Sequence, residues 1–169
     1  MSLITYICAT KIILKMTKLK AGDKAPHFEG INQDGKKITL EDFKGRKLIL
    51  YFYPEDDTPG CTAEACNLSD NYELWLEKGY DVIGVSPDSE KSHTKFIKKY
   101  SLKFNLIADK DKEIIKSYDV WGEKNMFGRK YMGVLRTTFI IDQYSIINSV
   151  YTKVDTKNHT TQILESLNI

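Results

Sequence analysis

Between Leu48 and Cys66 the chain changes character twice. Leu48-Ile-Leu-Tyr-Phe-Tyr53 is an unbroken apolar and aromatic run, which reads as a strand buried on both faces. Pro54, Asp56, Asp57, Pro59 and Gly60 then form a turn cluster that stops it. Beyond them Ala63, Ala65, Leu68, Tyr72, Trp75 and Leu76 recur at helical spacing, and Gly79 marks the end of one long helix. Cys61 therefore lies where a strand gives way to a helix. Backbone N–H groups at a helix N-terminus favour a thiolate there.

The rest of the chain repeats the alternation. His27 to Thr39 suggests a short hairpin turning at Asp34-Gly35, and Thr39 to Asp42 has the spacing of a helix-start signal. Strands are expected over 81–86, 104–108, 134–142 and 145–154. Helices are expected over 89–100, 111–118 and 156–167. The order β-α-β-α-β-α-β-β-α predicts an α/β fold with a central mixed sheet flanked by helices on both faces. In such sheets chemistry gathers at the carboxyl ends of strands, and Cys61 follows one. The stretch from Trp121 to Gly133 reads as a connection: an ordinary surface loop with buried anchors, a wall of the site, or a contact for a partner protein.

Composition narrows the function. The chain has 169 residues, enough for one domain with a sizeable core. Its 25 basic and 23 acidic residues are interspersed, with no long basic block, which argues against nucleic acid as a partner. No run approaches the ~18–20 apolar residues of a membrane span. Residues 1–16 read as an N-terminal extension, with 17–169 as the folded domain. That extension lacks the leading basic group of a secretory signal, and a start at Met16 reads equally well.

Cysteines occur at 8, 61 and 66. An odd number at uneven spacing is not a secreted disulfide framework, so a reducing compartment, the cytoplasm, is expected. Metal binding is disfavoured, because Cys-x4-Cys has no further ligand nearby and His27, His93 and His159 are scattered. On a helix, five residues mean about 140° of net rotation and ~7.5 Å of rise, so the two Cα atoms would be on the order of 8–9 Å apart. A disulfide needs them within about 7 Å. Joining Cys61 to Cys66 would thus require the first turns to unwind. A thiolate exposed to an oxidant forms a sulfenic acid, which a second thiol condenses to a disulfide. Arg136, just before an expected strand, is the best candidate cation for the thiolate. Glu64 reads first as a carboxylate favouring the helix N-terminus, and second as a group orienting Arg136.

Phe52-Tyr-Pro54-Glu-Asp-Asp-Thr58-Pro-Gly-Cys61-Thr resembles the active-site signature of the peroxiredoxins, with Pro54, Thr58 and Cys61 in its Pro-x-x-x-Thr-x-x-Cys core. Cys66 resembles the resolving cysteine of the bacterioferritin comigratory protein, or peroxiredoxin Q, subfamily. Arg136-Thr-Thr-Phe-Ile-Ile-Asp142 resembles the family's Arg-containing strand. This resemblance implies a thioredoxin-like fold and a peroxidase without metal or other cofactor, acting on hydrogen peroxide and organic (alkyl) hydroperoxides. Cys61 would be the peroxidatic cysteine and Cys66 the resolving one, forming an intramolecular disulfide that thioredoxin reduces. Thr58 would hydrogen-bond thiolate and peroxide, Arg136 would stabilise the thiolate and the developing charge, and Pro54 would shield the pocket. A resolving thiol in the same chain makes a monomer sufficient. A thiol–disulfide oxidoreductase on the same fold would carry Cys-x-x-Cys, which this chain lacks. A redox-sensing or protein-binding module is the other rival.

Overall fold

The apolar run from Leu48 becomes the middle strand of a five-stranded sheet. The computed structural model describes residues 16–169. Cys8 and the segment before Met16 lie outside them. The strands and helices are β1 (Glu29–Ile31), β2 (Lys37–Thr39), β3 (Lys47–Phe52), α1 (Pro59–Asp70), α2 (Tyr72–Glu77), β4 (Tyr80–Ser86), α3 (Glu90–Tyr100), β5 (Asn105–Ala108), α4 (Glu113–Ser117), β6 (Trp121–Met126), β7 (Arg129–Val134), β8 (Thr137–Ile141), β9 (Ile147–Tyr151) and α5 (His159–Leu167). A single 3-10 turn, Leu40–Phe43, follows β2 where the helix-start signal placed one, with Thr39 N–H donating to Asp42 Oδ2 at 2.7 Å.

The main sheet has the order β5-β4-β3-β8-β9. β3, β4 and β5 run parallel, and β8 and β9 are antiparallel to their neighbours. Successive strand residues face opposite sides, so β3 serves two cores. Leu48, Leu50 and Phe52 pack with Ile114, Ile115 and Tyr118 of the α4 region and with the N-terminal segment. Ile49, Tyr51 and Tyr53 pack with Cys61, Ala65 and Leu68 of α1, Trp75 of α2, Phe96 of α3 and Ile163 of α5. Helices thus cover both faces, as the alternation predicts.

Three details differ from the sequence reading. The helix expected to run unbroken to Gly79 is interrupted at Asn71, whose backbone leaves the helical region at φ −103° and ψ 13°. Its Nδ2 donates to Asn67 O at 2.8 Å, so a side chain competes with the helix ladder there. The connection over 121–133 is instead the antiparallel ribbon β6–β7. Its turn residues Phe127 and Gly128 both have positive φ, 51° and 78°, as a tight two-residue hairpin requires. The strand expected from Val134 to Asp142 is broken before Thr137, leaving Leu135 and Arg136 between β7 and β8. Arg136 lies in that break, beside the end of β3 where Phe52 pairs with Thr137.

Candidate active site

The loop from Pro54 to Thr58 is tied to α3 at two points. Asp56 accepts from Tyr53 Oη at 2.7 Å and Ser92 Oγ at 2.8 Å, and lies 2.8 Å from His93 Nδ1. The other nitrogen of His93 faces Ile107 O at 3.0 Å, so the buried ring bridges the loop to β5. Asp57, in the left-handed region at φ 55°, meets Lys99 Nζ at 2.7 Å and Tyr100 Oη at 2.6 Å. These two contacts hold its carboxyl below the usual range. Sequence reasoning saw both acids only as turn formers.

Pro59 starts α1 at the position where its fixed φ suits a helix and its missing N–H costs nothing. Cys61 is therefore in the first helical turn and only 1% exposed. Arg136 reaches across from the break before β8, with Nη2 donating to Cys61 Sγ at 3.2 Å and Nη1 meeting Glu64 Oε2 at 2.5 Å. One planar fork spans sulfur and carboxylate, a geometry lysine cannot reproduce. Gly60 makes room for it: a Cβ there would come within 3.3 Å of Nη2. Gly60→Ala is therefore expected to displace the guanidinium by a few tenths of an ångström and slow reaction of Cys61 with oxidants several-fold, read by stopped-flow mixing.

Glu64 is the residue the sequence ranked in the wrong role. It is fully buried and holds Arg136. Residues three apart on a helix share a face, so a cation on Cys61 is within reach of Glu64, and that spacing was the available signal. Burial raises its carboxyl to about 7 despite the pull of Arg136. Its second oxygen, Oε1, has no hydrogen bond and lies 3.9 Å from His159 Nε2. His159 Nδ1 donates to Gln162 Oε1 and Nε2 accepts from Thr138 Oγ1, each at 2.8 Å. That pattern suits the neutral ring, whose pKa burial lowers to about 4.

The family resemblance assigns the hydroxyl of Thr58 to the thiolate and the peroxide. In the structure Oγ1 donates to Glu55 O at 2.9 Å, while the backbone carbonyl accepts from Thr62 N–H at 2.8 Å. Pro54 is half-buried at the head of the loop. Cys66 is a half-buried free thiol on the same helix as Cys61, which is also free. Burial, with Asp70 nearby, raises the Cys66 thiol above its ordinary value. Beside Arg136 a depression of about 240 Å³ opens, walled by Met16, Lys124, Leu135, Thr152 and Lys153. Among the described residues no group of three or more His, Cys, Asp or Glu side chains is arranged to hold a metal ion. No helix among them is long and apolar enough to cross a membrane.

A thiol pinned to a guanidinium in the first turn of a helix is arranged for nucleophilic chemistry on sulfur. The profile of the AhpC/TSA family matches residues 21–150. The peroxiredoxin Bcp of Bacillus subtilis is 42% identical over 149 residues, covering 88% of this chain and 95% of that protein. That of Escherichia coli strain K12 is 41% identical over 152 residues, covering 90% and 97%. The chain is a peroxiredoxin of the AhpC/TSA family. Among solved structures, PrxQ of Xylella fastidiosa superposes with a TM-score of 0.84 at 30% identity, covering 90% of this chain and 98% of that one. Peroxiredoxin Q of Xanthomonas campestris superposes at 0.78 and 33%, covering 83% and 89%. The fold is thus the thioredoxin-like one of the peroxiredoxins, and the activity is that of a thiol peroxidase.

Proposed function

We propose that this peroxiredoxin reduces hydrogen peroxide and organic hydroperoxides through Cys61, resolves the product with Cys66 in the same chain, and is recycled by thioredoxin. The observation that carries this reading is the 3.2 Å contact of Arg136 Nη2 with Cys61 Sγ, the other arm of the guanidinium being fixed by Glu64. The Cys61 thiolate attacks the terminal oxygen of ROOH. The S–O bond forms as the O–O bond breaks, giving Cys61–SOH and an alkoxide that takes a proton from water. Charge moves from sulfur to the leaving oxygen. Arg136 is a fixed donor aimed at that region, beside the first turn of α1, an arrangement that contributes most in an enclosed site. Pro54 shields the approach to the sulfur.

Thr58 serves the peroxide by giving up Glu55 O, or by accepting from the hydroperoxide O–H while its own hydrogen stays where it is. The depression beside Arg136, with apolar Leu135 and Met16 in its walls, supports substrates larger than hydrogen peroxide. Cys66–SH then displaces water from Cys61–SOH to give the disulfide, which a dithiol reductant of the thioredoxin class returns to two thiols. A resolving thiol on the same helix supports a monomer as the working unit. The catalytic domain is residues 17–169, with 1–16 an extension, acting in antioxidant defence in the cytoplasm.

Thiol titration of the reduced chain tests this. The sequence has three cysteines, and one equivalent of hydrogen peroxide is expected to leave one titratable thiol, with a Cys61–Cys66 disulfide in the peptide map. Three remaining thiols, or a disulfide that includes Cys8, would contradict it. Thioredoxin, its reductase and NADPH should then restore all three.

A further inference from the structure

The first turn of α5 is capped from another helix. Asn158, its own capping residue, makes no side-chain bond to α5 and donates to Asp155 Oδ2 at 3.3 Å instead. Asn67 of α1 takes its place. Its Oδ1 accepts from Thr160 N–H at 2.8 Å, and its Nδ2 donates to Lys157 O at 3.0 Å. Its backbone carbonyl accepts from Thr160 Oγ1 at 3.4 Å. Thr160 is 3% exposed, so its N–H has little water to turn to. Asn67 is the residue after Cys66.

We propose that Asn67 is the positioning residue that sets how fast Cys66 reaches Cys61, by clamping the helical turn that carries Cys66 to the start of α5. The inference rests on the peroxidase reading above and adds what controls its second step. In that step Cys66 sulfur attacks Sγ of Cys61–SOH. The S–S bond forms, the S–O bond breaks, and the departing hydroxide takes the proton lost by Cys66, so one water leaves. An intact α1 holds the two sulfurs on different faces, and unwinding from the Cys66 side pulls Asn67 away from Thr160 and Lys157. While the clamp is closed, Cys61–SOH stays available to a second hydroperoxide, which would oxidise it to the sulfinic acid and leave as ROH. The clamp therefore decides the partition between recycling and overoxidation. The side-chain hydrogen bonds of Asn67 go to Lys157 and Thr160 and not to the Arg136 site, so its removal separates this step from the first. The Glu64–Arg136 pair also opposes unwinding but acts on the thiolate as well.

The test is rapid mixing of the reduced full chain with hydrogen peroxide, followed by acid quench, alkylation and mass spectrometry. Asn67→Ala should oxidise at Cys61 within about twofold of the unsubstituted rate. It should form the Cys61–Cys66 disulfide roughly tenfold faster, the scale of losing the two side-chain hydrogen bonds. The peroxide concentration that half-converts Cys61 to sulfinic acid should rise by the same factor. Asn67→Asp keeps the acceptor for Thr160 N–H but loses the donor to Lys157 O, and should accelerate the step about threefold. It carries the test if the alanine variant does not fold. Disulfide formation unchanged or slower in these variants, with the first step intact, overturns the clamp alone. An unsubstituted chain that forms no Cys61–Cys66 disulfide overturns the peroxidase reading, and the clamp with it.

Discussion

Arg136→Ala is expected to lower the second-order rate constant of Cys61 with hydrogen peroxide by about 10²–10³-fold, the scale of removing one preorganised donor from a developing charge. The same substitution removes the guanidinium nitrogen that donates to Sγ at 3.2 Å. Two further arms separate charge from geometry. Arg136→Lys keeps a cation but lacks the planar fork that meets Sγ and Glu64 Oε2 together. It should recover little of the rate. Chemical denaturation supplies the second arm. Removing Arg136 leaves Glu64 buried beside a hole, and an unpaired buried carboxylate protonates rather than stay charged. An unchanged rate in Arg136→Ala would remove Arg136 from the site.

The second large effect concerns stability and pH. Glu64 has its pKa raised by burial from an ordinary 4.5 to about 7, and His159 has its lowered by burial from 6.5 to about 4. Between pH 4.5 and 7 folded Glu64 binds a proton that the unfolded chain has released, so its contribution falls as pH rises. Between pH 4 and 6.5 the unfolded chain protonates His159 while the folded chain leaves it neutral, so that contribution rises. Each is on the order of 3 kcal/mol across its window. They oppose each other where the windows overlap. Both groups feel Arg136, which stays protonated, and Asp155 acts on His159 alone. From this pair the chain should show little pH dependence between 4.5 and 6.5. Glu64→Gln should unmask the histidine, so that the free energy of unfolding climbs by about 2 kcal/mol over that range. Parallel curves for both proteins in urea titrations at about pH 4.5, 5.5 and 6.5 would show that the two groups do not titrate as their burial implies.

Much of the architecture is legible in local pattern. The run from Leu48 and the turn cluster after it specify a buried strand, a loop and a helix start without knowledge of distant residues. The hairpin at Asp34-Gly35 shows itself because Asp-Gly is a turn signal. The ribbon β6–β7 does not, because its turn is Phe127-Gly128 and its strands carry Glu123, Lys124, Arg129 and Lys130 in place of a regular apolar alternation. The break at Asn71 is hidden because apolar helical spacing continues across it, through Leu68, Tyr72 and Trp75.

In the site, Cys61, Thr58 and Pro54 are adjacent in sequence and could be read together. From the residues alone Arg136 is legible only as a cation near a strand start, and the family resemblance supplies its role. The pairing of Asp56 with His93 spans 37 residues, and that of Glu64 with Arg136 spans 72. Such long-range partners leave no periodic trace. The same holds for Asn67, whose partner Thr160 is 93 residues away and whose residue type alone says surface or turn.

Everything proposed for this peroxiredoxin depends on which sulfur is attacked and how readily. The direct measurement is dimedone trapping in Cys66→Ser, where the oxidised intermediate cannot be resolved within the helix. One equivalent of hydrogen peroxide should yield a single adduct, located at Cys61, forming with a rate constant orders of magnitude above that of free cysteine. An adduct at Cys8 with Cys61 unlabelled, or a Cys61 that reacts no faster than the free amino acid, would contradict the account.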